Sequence, residues 1–313
     1  MIDSSADSNR QPDRSSGSLS LAAALSLAGN HIEAREEIES CLGRTPESGE
    51  TLAVLARILW AARDVQAVRE RFIPLLDSTD SDIATLATLQ VAMVEMKSGG
   101  YAGAVQRLEA GILRLSPPQS RSPIAGQLHD YLGRAYFRLR MPDRARAHMQ
   151  VAASILESAG DREGVADVLT GLAMVEKTSD RWDRSEALTL QALETYRDTS
   201  RPAKILAATN NLAVLRVFRG WFESATAPAT RAVALADEIG DFRFRTLSRA
   251  ALAVLQIRSQ RFSDARRTLA QAIRLARTQL SPRSLALLCE YAGELALREN
   301  RLEDARRWLA RGA

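Results

Sequence analysis

Three histidines, two cysteines and one glycine-rich turn are the residues in this chain whose types invite chemistry. A histidine can relay a proton or ligate a metal near neutral pH. His31, His129 and His148 form no HExxH pair, and no GxSxG or P-loop spacing occurs. Cys41 and Cys289 lie far apart in sequence and make neither a metal spacing nor a disulfide framework. The stretch "SGGYAG" at 98–103 matches neither a phosphate loop nor GxGxxG, so it reads as a helix–helix turn. The paired carboxylates Glu36 and Glu37 fall on an outer helix face. The sequence therefore assigns no catalytic, cofactor or metal residue, and the chain is expected not to be an enzyme.

Composition fixes the class. Of 313 residues, 46% are hydrophobic and 26% charged, ordinary values for a folded chain, and alanine, leucine and arginine dominate over the 5% aromatics. No strand-like alternation with β-branched residues occurs, so the chain reads as all-helical. The net charge is +4 and is carried by arginine, since the lysines are only Lys97, Lys177 and Lys204. Acidic residues interleave with the arginines in "EAREEIES" and "LEDARRWLA", which reads as solvated helix faces with local ion pairs. A nucleic-acid surface is the less favoured alternative. The N-terminus lacks the apolar core of a secretory signal, and no run of about 18 apolar residues occurs. The expectation is a cytoplasmic bacterial protein with a polar, disordered tail over 1–17.

Small residues reveal a repeat. In "LGRAYFRLRMPDRARAHM" (132–149) Gly133 sits on what should be a buried helical stripe. Glycine inside a helix costs roughly 0.8–1.0 kcal/mol relative to alanine, so something must offset it. Ala145 has counterparts at Ser185, Ala225, Ala265 and Ala305, 40 residues apart, and upstream at Ala34, Val68 and Ala104. Twelve residues before each stand Ala22, Ala56, Ala92, Gly133, Ala173, Ala213, Ala253 and Gly293. Small residues on two antiparallel helices, A and B, let the two approach closely. One such pair cannot bury both its faces, so copies must stack.

Leu132, Gly133, Tyr136, Ala145, Met149 and Ala152 resemble the signature of the tetratricopeptide repeat. The resemblance covers roughly residues 18 to 313. It departs from the signature in lacking its tryptophan, whose place is taken by His129, Leu169, Thr209, Arg249 and Cys289. The longer 40-residue unit, with connectors "ESAGD" and "DEIGD", resembles repeats of bacterial signal-transduction and transcription regulators of the maltose-regulator type. The resemblance implies a right-handed α-α superhelix of about eight helix pairs, with the array spanning 18–313.

Local signals support helix boundaries. Gly160 and Gly240 suit left-handed helix ends, with Asp161 and Asp241 as N-caps of the next helices. Ser281-Pro282 offers a cap followed by proline at the first helical position, and Pro202 starts a helix likewise. Pro228 falls inside a B helix and is expected to kink it.

The face of helix A opposite its packing leucine recurs at i, i+4, i+7. It contains Asp130, Arg134 and Phe137 in copy four, Thr170, Met174 and Lys177 in copy five, and Asn210, Val214 and Val217 in copy six. Copy seven adds Ala250, Val254 and Ile257, copy eight Glu290, Glu294 and Leu297, and the third copy Met93 and Met96. Val214, Val217, Val254 and Ile257 are expected to form one exposed apolar strip that accepts a protein or peptide. The other reading is that this face packs within the same protein. The lysine–asparagine carboxylate clamp of chaperone-binding relatives is not matched by Lys177 and Asn210.

The reading is a non-enzymatic interaction scaffold, without cofactor, that serves as the regulatory or sensory part of a bacterial signalling or transcription regulator. The alternative is a sensor of a small molecule or short peptide held in the superhelix interior. The last helix, "RLEDARRWLARGA", leaves Leu302, Ala305 and Leu309 without a following copy. A downstream effector domain or self-association through that helix is therefore expected.

Overall fold

The computed structural model describes residues 14–42, 48–199, 201–278 and 281–312. Every regular element among them is helical. The chain divides into two compact units, residues 1–155 and 156–313.

The first unit holds α1 (Arg14–Leu27) and α2 (His31–Leu42), α3 (Gly49–Ala61) and α4 (Val65–Phe72), α5 (Ser81–Lys97) and α6 (Tyr101–Leu113), and α7 (Pro123–Arg138) with most of α8 (Pro142–Ser158). Its A helices pack side by side, α1 on α3, α3 on α5 and α5 on α7. Ile38, Leu52, Leu55, Ile58 and Phe72 fill a continuous core between them.

The second unit holds α9 (Arg162–Thr178) and α10 (Trp182–Asp198), α11 (Pro202–Phe218) and α12 (Phe222–Ile239), α13 (Phe242–Arg258) and α14 (Phe262–Thr278), and α15 (Pro282–Arg298) and α16 (Leu302–Gly312). Each A helix packs on its own B helix, and each of α10, α12 and α14 packs on the A helix that follows it. α13 also lies between α11 and α15. The helix pairs coincide with the copies read from the small residues. Of the polar tail expected over 1–17, residues 1–13 lie outside the described residues, while 14–17 belong to α1.

Close helix approach explains the glycine. A Cβ on Gly133 would stand 2.7 Å from Met149 Cγ and 2.9 Å from the Ala145 carbonyl oxygen of α8. Only a hydrogen fits there, and dispersion attraction along the two closely packed helices offsets the poor helix propensity of glycine. Ser185, the one hydroxyl at this crossing, also ties the helices together: its Oγ donates to the Ala173 carbonyl at 2.7 Å.

The turn between helices A and B is the same in all eight described pairs. Three residues separate the helices, and the middle one takes a left-handed conformation. Gly29, Gly99 and Gly220 hold this place in three pairs. Arg63, Arg140, Asp180, Gln260 and Asn300 hold it in the others, with φ between 58 and 64°. A side chain in this conformation costs roughly 1–2 kcal/mol.

The connectors between pairs follow the sequence reading in most places. Gly160 and Gly240 have φ of 74°. Asp161 Oδ1 accepts from the Gly164 amide at 2.8 Å and Asp241 Oδ1 from the Phe244 amide at 3.0 Å. Pro202 opens α11. Ser281 departs from expectation: its hydroxyl makes no cap bond and donates instead to Ser284 Oγ at 2.9 Å. α12 runs through Pro228, which leaves the Ser224 carbonyl without its helical donor. Arg216 Nη1 supplies one at 2.9 Å, while its Nε pairs with Glu186 at 2.7 Å. On α16, Leu302 and Leu309 are exposed as expected, but Ala305 is buried because it is the small residue that meets α15.

Two substitutions test this packing. Gly133→Ala gains helix propensity but presses a methyl group on a helix carbonyl, so a net loss of about 1–2 kcal/mol is expected in urea unfolding. A net gain would show that α8 does not press on Gly133. Gln260→Gly relieves a left-handed side chain and should raise stability by about 0.5–1 kcal/mol in the same assay.

Candidate functional site

The A helices of the second unit carry a cleft on the face turned away from the B helices. α11, α13 and α15 stand side by side, and residues one repeat apart meet across their seams. Asn210, Val214, Val217 and Phe218 come from α11, Leu247, Ala250, Ala251 and Val254 from α13, and Leu287 and Tyr291 from α15. They enclose a cleft of about 130 Å³. Its walls are mostly apolar because Leu247 and Leu287, Val214 and Val254, and Ala251 and Tyr291 each repeat one position at a 40-residue step.

The structure brings five residues of the expected groove face into this cleft: Asn210, Val214, Val217, Ala250 and Val254. It does not expose them as one strip. Val214 is half-buried, but Val217, Val254 and Ile257 are buried at 2%, 5% and 0% exposure. The reason is the return of the chain. Val217 and Ile257 lie in the last turn of their A helices, where helix B begins. Val217 packs with Ala225 and Ala229 of α12, and Ile257 with Ala265 and Leu269 of α14. Val254 is sealed from the side, in one cluster with Ala213 and Val217 of α11. Met174 is exposed and Lys177 partly buried, both on α9. Arg134 and Phe137 belong to the first unit, where Arg134 Nε is held by Asp130 at 2.7 Å.

Phe218, Leu247, Leu287, Tyr291 and Arg258 were not among the expected site residues. The 40-residue period contained the signal: Arg258 repeats Phe218, and both lie one helical turn beyond the valines.

The polar groups at the cleft are few and uncommitted. Asn210 is 8% exposed, and its Oδ1 has no hydrogen-bond partner. The Nε of Arg258 is likewise buried without a partner. Phe218 is 53% exposed, with Lys177 Nζ at 6.0 Å and Arg258 Cζ at 5.6 Å from its ring centroid. Burial lowers the pKa of the Lys177 ammonium. Burial, helped by Glu290 and Glu294 and opposed by Arg258, raises that of the Tyr291 phenol. One end of the groove is thus cationic and aromatic, the other acidic.

Two of the three histidines meet elsewhere, in the first unit. His129 Nδ1 and His148 Nδ1 are 3.1 Å apart, and the His148 ring stacks on Tyr136 with centroids 5.5 Å apart. The Tyr136 hydroxyl donates to Glu109, and Arg144 lies over the tyrosine ring. Burial, with His148 adding to it, pulls the His129 pKa from 6.5 down to about 4. His148 is also lowered by burial, against the pull of Glu109. Among the described residues no three His, Cys, Asp or Glu side chains are placed to hold a metal ion. Both cysteines are buried.

A lowered folded-state pKa means that the unfolded chain binds more protons between pH 6.5 and 4. Stability is therefore complete above pH 6.5 and falls toward pH 4. Allowing for partial exposure, His129 accounts for about 1–2 kcal/mol of that fall. Leu169 holds the same position one copy on, so His129→Leu should flatten this part of a stability–pH profile measured in urea. An unchanged profile would show that His129 titrates freely.

No family model matches the chain, and no curated protein matches it. Solved structures do. A Rap protein complexed with competence and sporulation factor aligns with TM-score 0.65 and 12% identity, over 96% of this chain and 88% of that one. Aspartyl phosphate phosphatase F from Bacillus subtilis aligns with TM-score 0.61 and 9% identity, over 99% and 86%. The TPR-like repeats of a kinesin light chain homologue from Podospora anserina align with TM-score 0.53 and 20% identity, over 62% and 96%. At such identities the likeness is one of fold, and it agrees with the paired helices and their small-residue crossings: the chain has the fold of a tetratricopeptide-type helical repeat protein.

Proposed function

We propose that the chain is a non-enzymatic interaction scaffold in bacterial regulation, and that the groove on α9, α11, α13 and α15 takes an extended peptide or protein segment. The observation that carries this reading is the cleft with Asn210 at its wall. A buried amide oxygen without a partner can accept a backbone N–H, and an apolar cleft beside it can seat one side chain. At about 130 Å³ the cleft has room for one side chain. Sites for whole small molecules commonly run to roughly 300–1,000 Å³, which disfavours the small-inducer alternative. Lys177 and Arg258 favour a segment with an acidic residue near the seated side chain.

The neighbours are consistent with a regulatory role, since one of them was solved with a bound factor. Another is named a phosphatase, so hydrolysis of an aspartyl phosphate by this chain would overturn the non-enzymatic half of the reading. A cytoplasmic location is part of the same proposal. Among the described residues no helix is long and apolar enough to cross a membrane.

Peptide display against the immobilised full chain tests the groove. Selected peptides should share an apolar residue near an acidic one. Val214→Glu should keep the thermal melt and lose about ten-fold or more in affinity for them, because it puts a like charge where the segment brings its own. Val254→Glu should instead cost about 3–5 kcal/mol of stability, since it buries an unpaired charge. Peptides that bind Val214→Glu as tightly as the parent would sink the assignment.

A further inference from the structure

Arginine is concentrated on one helix pair. Residues 242–278 contain nine arginines and a single acidic residue, Asp264, whereas the whole chain carries only +4. Several of these arginines converge on a side of α13 away from the peptide groove. Arg245 and Arg249 project from α13 one turn apart, and Gln271, Arg274, Leu275 and Thr278 share one face of α14. Together they line an open cleft of about 280 Å³.

The polar wiring of the cleft orients donors toward it. Arg249 holds the position of the missing signature tryptophan and is only 13% exposed. Four of its five N–H donors are committed: Nη1 and Nη2 pair with Asp237 of α12 at 3.1 and 2.7 Å, Nη1 also donates to the Arg245 carbonyl, and Nε donates to Gln271 Oε1 at 3.4 Å. Because Arg249 occupies the oxygen of Gln271, the amide nitrogen is left as a donor. Arg245 hydrogen-bonds through its Nε to Asp237 at 3.0 Å, its guanidinium carbon 5.6 Å from the Phe242 ring centroid. Among the described residues Arg274 has no ion pair. Asp237 is the one described carboxylate facing the cluster, and its two arginines, Arg249 foremost, hold its pKa low. Three guanidinium groups against one carboxylate leave two positive charges unmatched.

We propose that this cleft binds a phosphate group, either free or as a monoester. Two unmatched positive charges suit a group that carries about −1.5 to −2 near neutral pH better than they suit a single carboxylate. Guanidinium forks and an amide donor supply the hydrogen bonds that phosphate oxygens accept. The volume exceeds that of the phosphate alone, and Leu275 offers an apolar patch for the rest of an ester. Arg249 Nε positions Gln271, and the fork that holds Asp237 stays out of the ligand's reach.

The test is calorimetric titration of the full chain at fixed ionic strength with inorganic phosphate, O-phosphoserine and acetate. Saturable binding of phosphate, with acetate much weaker, is expected. Tighter binding of phosphoserine identifies a monoester as the ligand, and equal or weaker binding identifies free phosphate. Arg274→Ala, on an exposed helix face, should weaken binding about ten-fold or more, with Arg274→Lys retaining part of it. Gln271→Glu should abolish it independently by adding a carboxylate. Arg306→Ala, at an exposed arginine of α16, should change nothing. Absence of saturable binding, equal affinity for acetate, or equal loss in Arg274→Ala and Arg306→Ala would overturn the proposal.

Discussion

The crossing of helix A over helix B governs the rest of this molecule. At that point two helix backbones come within reach of each other's carbonyls, and the space between them admits a hydrogen or a methyl group. The crossing is favourable because close-packed atoms add many small dispersion terms along both helices. It also fixes geometry. Once a pair is set at this distance, its outer faces are ridged in a defined way, and the next A helix has one place to lie. The seams between α11, α13 and α15, and hence the apolar cleft, follow from those crossings. So does the arginine cleft on the other side of α13, which depends on α12, α13 and α14 being held in a fixed relation.

Much of this architecture was legible in the sequence, because close approach leaves a record in residue size. Alanine, glycine and serine at fixed offsets, with Val68 as the exception, mark the crossings, and the helix pairs lie where those offsets put them. The groove was legible only in part. Asn210 and Val214 line the cleft, but Val217 and Ile257, expected on the same exposed strip, are buried in the core. Helical periodicity gives direction around one axis. It carries no information on where helix B turns back, and that return covers the last turn of helix A. Val254 was misjudged for a related reason: an A helix in an array is flanked on both sides, so a residue that faces outward from its own pair is shielded by the next.

The polar wiring was harder still to read. Arg216 looks like any other arginine of a charged surface, yet it meets a carbonyl that a proline on another helix has left free. Arg249 looks like a degenerate signature position and is instead the centre of a network that joins three helices. His129 holds the same position three copies earlier and pairs with His148. At these two places, where the bulky signature residue is absent, a polar side chain stands instead and finds a local partner that no periodicity predicts.

The two kinds of connector in this chain have different histories open to them. Within a pair the turn is always three residues long, with its middle residue left-handed, even where glycine is absent. Between pairs the connection runs from two to nine residues. Insertions, deletions and grafted sequences can therefore accumulate at the joints between pairs without disturbing a crossing. The same changes inside a pair would break one. The heritable module of this protein is accordingly the pair counted from the start of A to the end of B, and duplication, recombination or an engineered fusion has its natural cut points at those joints, such as the nine-residue segment that precedes Pro123.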